Sequence, residues 1–350
     1  MMSVKTVSLL AGMSLLCANA AIAAESVPAD YFDLTHWYLQ VPEDLNNDHR
    51  ADTIHPNELG KYSHPEYFYL DELNRLVFSS PNKAATSKTS TNTRSEMRYL
   101  LNGSNEAANP SYDRNFSLAA HPEAAKFAAI GGRMEATLHV DHAPTRAGYP
   151  DKPTAYSVVI GQIHAAKMDQ KTGGFGYGNE PLKIYYKKWP NHETGSVLWV
   201  YERNLETNNP NRIDIDYPVW GNHWDDATDP GDKGLALGEE FSYVVNVHED
   251  TMYLTFTSPK HGDVNFSINL ADNRDAHGNV DKFDHPQGYA GDPLYFKAGV
   301  YNQCSTKDDP SWRYPACPGT GDWLTDRSKG DYAEATFSRL VVTEPTKPGQ

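Results

Sequence analysis

Tyr295-Phe296-Lys297-Ala298-Gly299-Val300-Tyr301-Asn302-Gln303 decides the reading of this chain. Successive side chains on a strand point to opposite faces. Phe296, Ala298 and Val300 make one face, which suits a core. Tyr295, Lys297, Tyr301 and Gln303 make the other, which is polar and aromatic. Two further segments repeat the pattern. Arg94, Glu96 and Arg98 share a face in Arg94-Ser95-Glu96-Met97-Arg98, and Gln162 and His164 share one in Gln162-Ile163-His164. Three strands turning such groups the same way describe the floor of a groove, and the cations predict an anionic ligand.

Period-two patterning continues along the chain. It predicts strands over 35–41, 133–140, 156–164, 182–187, 196–203, 241–248, 252–257, 264–270, 294–303 and 333–342. Glu249-Asp250-Thr251 reads as a hairpin turn, and helical signal is confined to a short stretch around 121–127. No repeat or linker divides the chain. The expected fold is all-β: a two-sheet sandwich or jelly roll, concanavalin A-like, with a concave substrate groove on one sheet. Lys183, Tyr185 and Lys187 share a strand face and are expected to extend the groove, with ordinary solvated polarity as the bland alternative. The loops 84–92 and 167–179 are expected to border it, the second being dense in glycine. The long insert 272–292 is a candidate obstruction at one end.

The N-terminus reads as a secretory signal over 1–24. Lys5 starts it, an apolar run follows, and small residues up to Ala24 offer cleavage. That run is short for a membrane span. The remainder, 25–350, is expected to be one all-β domain, secreted or periplasmic. Two cysteines then remain, Cys304 and Cys317, and an oxidising compartment favours a disulfide between them. Net charge is −15 for the full chain, which disfavours nucleic acid as partner. An anionic ligand therefore requires cations concentrated in one cleft. Asp44, Asn46, Asp48 and Asp52 have spacings reminiscent of a calcium loop, but His49 and His55 stand where such a loop needs glycine and the bidentate acid. A solvated loop is the preferred reading of Asp44–Asp52, with structural calcium the lesser one. No closed zinc spacing, phosphate loop or dinucleotide fingerprint occurs.

The three segments together resemble the signature of polysaccharide lyase family 7, the alginate lyases. Its patterns are Arg-(Ser/Thr)-Glu-(Leu/Met/Asn)-Arg, Gln-(Ile/Val)-His and Tyr-Phe-Lys-Ala-Gly-x-Tyr-x-Gln, and all three stand here in order. A three-residue match is weak and the nine-residue match is specific. The resemblance implies β-elimination on alginate polymer or oligosaccharides with no required cofactor. It implies that Arg94 and Gln162 offset the substrate carboxylate, and that His164 and Tyr301 serve as base and acid on guluronate. On mannuronate Tyr301 serves both steps. Arg98, Tyr295, Lys297, Asn302 and Gln303 are implied substrate binders, and Glu96 an orienting group among them. Gln-Ile-His is associated in the family with accepting guluronate-containing blocks.

Other classes fit less well. A carbohydrate-binding module keeps aromatics and cations but has no need of a histidine and a tyrosine aimed at one carbon. A glycoside hydrolase needs two carboxylates flanking the bond. Asp214 and Asp216 share a face, but no such pair lies in the three segments. The expected partner is the polysaccharide alone, with no nucleic acid, no membrane and a monomeric chain.

Overall fold

Alternation places large apolar side chains between two layers, and everything that positions the cleft follows from that. In the computed structural model the described residues are 26–105, 109–167 and 175–348, so the signal assignment over 1–24 lies outside them. In chain order the strands are β1 (Trp37–Gln40), β2 (Thr53–Ile54), β3 (Phe68–Leu70), β4 (Leu76–Pro81), β5 (Asn92–Tyr99) and β6 (Phe116–Ser117). Next come β7 (Ala129–Ile130), β8 (Gly132–His142), β9 (Ser157–Ala165), β10 (Leu182–Lys187), β11 (Ser196–Glu202) and β12 (Asp214–Trp220). The last are β13 (Phe241–His248), β14 (Thr251–Ser258), β15 (Gly262–Asn269), β16 (Leu294–Ser305) and β17 (Tyr332–Thr343). Two short helices, α1 (Pro56–Leu59) and α2 (Trp323–Ser328), decorate the edges.

The strands form two sheets. One runs β12-β11-β10-β9-β16-β5-β1-β2, with β6 and β7 attached through β16. The other runs β15-β14-β13-β8-β17-β4-β3. Every ladder is antiparallel except β6 with β7. This is the expected two-sheet sandwich of jelly-roll type. Its core sets Met97, Ile163, Ile184, Trp199, Phe296 and Val300 of the first sheet against Phe78, Met134, Tyr243, Leu254, Phe256 and Phe337 of the second. Fully burying side chains of this size contributes roughly 1.5–3 kcal/mol each. Among the described residues no helix is long and apolar enough to cross a membrane.

Several boundaries differ from the sequence reading. Thr251 pairs with His248, so the predicted three-residue turn is two residues, Glu249 and Asp250. Glu249 takes φ +56°, as tight hairpin loops require. Strand β4 escapes the periodic pattern because both its faces are covered: every residue of Leu76–Pro81 is buried. The helical signal near 121–127 is a single 3-10 turn, Ala124–Lys126.

A bulge sets the direction of the two central cleft residues. The register of β9 shifts against both β10 and β16 near Ile160 and Gly161. Both of these residues therefore face the core, while Gln162 and His164 beyond them face outward. Tyr243 donates its hydroxyl to the Ile160 carbonyl at 3.1 Å. A Cβ on Gly161 would stand 2.6 Å from that hydroxyl, so only glycine fits. Gly299 is equally constrained. Its φ is +134°, and a Cβ there would meet the Ser95 carbonyl oxygen at 2.6 Å.

Candidate active site

Three adjacent strands bring the signature segments together on the outer face of the first sheet. Lys297 on β16 stands opposite Arg98 on β5 and Gln162 on β9. Tyr301 stands opposite Arg94, and Tyr295 opposite His164. A hollow of about 390 Å³ opens over Arg94, Gln162, His164, Lys297 and Tyr301. A second hollow of about 580 Å³ continues from it over Tyr38, Gln40 and Tyr295 toward Arg50.

Glu96 is the hub of this floor. It is 2% exposed. Its Oε2 accepts from Arg94 Nη1 at 3.2 Å and from Lys297 Nζ, and its Oε1 accepts from the Gln162 amide nitrogen. A carboxylate only accepts, so Glu96 forces Gln162 to turn its NH2 inward along the cleft floor. One hydrogen of that NH2 and the remaining guanidinium hydrogens of Arg94 are left for a ligand. Arg94 Nε is buried and has no partner among the described residues. Burial pushes the Lys297 ammonium down to about 8, against the pull of Glu96 and with the push of Arg94. The cluster thus concentrates positive charge in a chain that is strongly acidic overall.

The acid-base candidates flank the hub. The Arg94 guanidinium carbon lies 4.0 Å over the Tyr301 ring, and the Tyr301 hydroxyl is 3.2 Å from Ser90 Oγ. His164 stacks on Tyr295 with ring centres 5.2 Å apart. Its Nδ1 is 2.8 Å from the Ala165 carbonyl oxygen and its Nε2 3.0 Å from Glu180. Arg98 lies 3.6 Å over the other partner, Tyr295, and donates to Asn115 Oδ1 at 3.0 Å. Arg98 is therefore a prop under the Tyr295–His164 stack. Burial drives the Tyr295 phenol up, against Arg98, so Tyr295 stays neutral.

Other expected binders are not brought to the cleft surface. Lys183, Tyr185 and Lys187 point to the outer face as the alternation predicts, but loops lie over them. Lys183 is 2% exposed and its Nζ lies 3.0 Å from Asp214, 3.5 Å from Glu180 and 3.9 Å from Glu202. Tyr185 packs edge-on against Trp224, with centroids 4.6 Å apart, in a small second core with Val159, Leu198 and Val200. Lys187 donates to the Pro153 carbonyl and sits 4.9 Å from the Trp189 ring. Asn302 faces inward, donating to the Ser80 carbonyl at 3.2 Å and to Asn82 Oδ1 at 3.0 Å. Gln303 is buried under Tyr185, whose hydroxyl donates to its Oε1 at 3.4 Å. These five residues hold the floor in place from beneath or beside it.

The sequence reading missed other lining residues. Arg212, Trp312, Arg313 and Tyr314 line the hollow from two loops with no periodic signature. The expected rim loops do border it: Ser87, Thr89, Ser90 and Thr91 from one, Lys167, Tyr177 and Gly178 from the other. Residues 168–174 of the second loop lie outside the described residues. The insert 272–292 braces this rim, since Asp292 accepts from the backbone N–H of Phe175 and Gly176 at 3.1 and 3.2 Å. Cys304 and Cys317 form the expected disulfide, with Cα atoms 5.3 Å apart. It ties the end of β16 to the loop carrying Trp312, Arg313 and Tyr314.

The acidic loop Asp44–Asp52 borders the wider hollow, where Asn46, Asp48 and Asp52 are among the lining residues. Its acceptors serve its own backbone. Asp44 accepts from the N–H of Asp48 and of His49, both at 2.9 Å, and Asp52 from that of Leu45 at 2.8 Å. Among the described residues no three His, Cys, Asp or Glu side chains converge as metal ligands.

Comparison with known proteins agrees with this geometry. The family model described as alginate lyase matches residues 32–344. An alginate lyase from Klebsiella pneumoniae is 33% identical over 332 residues, 92% of each chain. The crystal structure of the alginate lyase from Klebsiella pneumoniae superposes with TM-score 0.70 at 30% identity, over 92% of this chain and 99% of that one. The exolytic family 7 alginate lyase AlyA5 of Zobellia galactanivorans superposes with TM-score 0.72 at 30% identity, over the same shares.

Proposed function

Since the chain belongs to the alginate lyase family, we propose that its cleft cleaves the 1,4 bond of alginate by β-elimination. The observation that carries this is one cleft holding Arg94, Gln162 and Lys297 around Glu96, with His164 and Tyr301 beside them. The C5 proton of a uronate is too weakly acidic while its carboxylate keeps a full charge. Arg94 and Gln162 offer hydrogen bonds to that carboxylate, and Lys297 adds charge beneath it. Together they stabilise the enolate-like transition state in a partly buried site, where such donors act most strongly. Arginine suits the task because its planar fork meets a carboxylate with two parallel bonds.

Proton transfer completes the reaction. On mannuronate the phenolate form of Tyr301 takes the C5 proton, the bond from C4 to the bridging oxygen breaks, and the phenol so formed passes its proton to that oxygen. On guluronate the proton lies on the other face of the ring. His164 is then the base and Tyr301 the acid. The Gln162-Ile163-His164 pattern favours acceptance of guluronate-containing blocks. Arg94, Gln162 and Lys297 supply the charge neutralisation themselves, so the reaction needs no metal. We read residues 25–350 as one exported, monomeric catalytic domain acting on alginate polymer or oligosaccharides.

The mass of the products tests this reading. Elimination yields fragments whose new non-reducing end is lighter by one water than the hydrolysis product. Products at the hydrolytic mass would refute it and favour a glycosidase. Binding without any cleavage would refute it in favour of a carbohydrate-binding sandwich.

A further inference from the structure

His164 is engaged at both ring nitrogens, and this restricts what it can do as a base. The Ala165 carbonyl only accepts, so Nδ1, at 2.8 Å, carries a proton. Nε2 is then the nitrogen left for catalysis, and it points at Glu180 Oε1 across 3.0 Å. One proton lies between them. Whether it sits on nitrogen or on oxygen, no lone pair of His164 is left for a sugar carbon.

Glu180 is firmly placed for this. Its backbone N–H donates to Glu202 Oε2 at 3.0 Å, and Lys183 Nζ lies 3.5 Å from its second oxygen. Lys183 also meets Asp214, and Arg212 Nη2 meets Glu202 at 3.0 Å. Arg313 approaches Glu202 from the cleft side at 3.7 Å. The carboxyls of Glu202 on β11, Asp214 on β12 and Glu180 before β10 therefore share three cations, and of the three Glu202 is the fully buried one. Burial opposes ionisation of Glu180, but Lys183 and His164 outweigh it and keep the carboxylate well below its ordinary range. Tyr301 has no such partner, since its hydroxyl meets only Ser90 Oγ among the described residues.

We propose that Glu180 is a positioning residue that sets block preference by withholding His164 from the base role. This rests on the reading of His164 and Tyr301 given above. With Nε2 held, the Tyr301 phenolate is the group free to take the C5 proton, so mannuronate is cleaved without rearrangement, whereas the guluronate-containing blocks that the Gln162-Ile163-His164 pattern admits wait on release of His164. Guluronate is cleaved only when Glu180 first takes the Nε2 proton and the ring turns away from it. The freed Nε2 lone pair then accepts the C5 proton, the bond from C4 to oxygen breaks, and Tyr301 protonates the leaving oxygen.

The test is Glu180→Leu, which keeps the approximate size and removes both the charge and every group that could hydrogen-bond Nε2. Initial rates on mannuronate-enriched and guluronate-enriched alginate are compared for variant and wild type. The ratio of guluronate to mannuronate rate is expected to rise about tenfold, the equivalent of one charge-assisted hydrogen bond. Equal losses on both blocks would overturn the proposal, because a merely structural role lowers both together. Nitrogen NMR of His164 in the wild-type protein serves if the variant fails to fold. A slowly exchanging proton between Nε2 and Glu180 is expected, and a bare Nε2 would overturn the proposal. The NMR result stands even if neither block is cleaved, which separates failure of this inference from failure of the lyase reading.

Discussion

Replacing Glu96 with glutamine should damage this protein more than any surface change of similar size. Glu96 is 2% exposed and accepts from Arg94, Lys297 and Gln162 at once. Glutamine keeps the shape but has one acceptor oxygen and an NH2 group. One of the three donors must then face another donor. Lys297 and Arg94 also lose their shared counter-charge in a buried site. Removing one partner of a buried ion pair typically costs about 3–5 kcal/mol. Part of this is relieved because Lys297, already near 8, gives up its proton once Glu96 is neutral. We therefore expect a loss of about 2–4 kcal/mol at neutral pH. Activity should fall further, because Gln162 is then free to turn its amide and present oxygen to the substrate carboxylate. Loss of one preorganised donor corresponds to a kcat decrease on the order of 100-fold. Urea denaturation measures the first quantity and initial rates on alginate the second. A variant within about 0.5 kcal/mol of wild type and with full activity would refute the hub reading, since changes of that size are typical of ordinary surface sites.

Four other outcomes follow from the same contacts. Arg94→Lys should lower kcat/KM sharply while leaving the fold intact, because lysine lacks the fork, and steady-state kinetics on alginate decide it. Lys187→Met should leave KM for alginate unchanged, since Lys187 is covered by Pro153 and Trp189; a large rise in KM would restore it to the binding surface. Stability should rise between about pH 8 and 10. Burial holds Lys297 and Lys187 near 8 in the folded chain, so the unfolded chain binds more protons in that window, and each lysine contributes up to roughly 3 kcal/mol. Urea midpoints across that range check the sign. Reducing the Cys304–Cys317 bridge should cost about 3 kcal/mol and lower the melting temperature by several degrees, with some loss of activity through the Trp312–Tyr314 loop.

Alternation carried most of what the sequence told. It placed Lys297, Tyr301, Gln162 and His164 on one face because each strand buries its other face against the second sheet. The same rule placed Lys183, Tyr185 and Lys187 on the outer face, and that is where they point. It had no means of saying what lies over a face: Trp224 covers Tyr185, Pro153 covers Lys187, and the carboxylates of Glu180, Glu202 and Asp214 ring Lys183. Asn302 was assigned through the nine-residue pattern although its parity puts it inside, and its amide does bond Ser80 and Asn82 there. Strand β4 carried no periodic signal because it is buried on both faces. Glu180, Arg212 and Arg313 were invisible for another reason. They sit on irregular segments whose paths are fixed by tertiary contacts, such as the Glu180 amide bond to Glu202, and not by local pattern.

The most direct test of the central claim is ultraviolet absorbance while purified protein acts on alginate, run beside Tyr301→Phe of matching circular dichroism. The account predicts a steady rise from the conjugated double bond with the wild-type protein and none with the variant. A folded wild-type protein that produces no rise, or a Tyr301→Phe variant as fast as wild type, would contradict it.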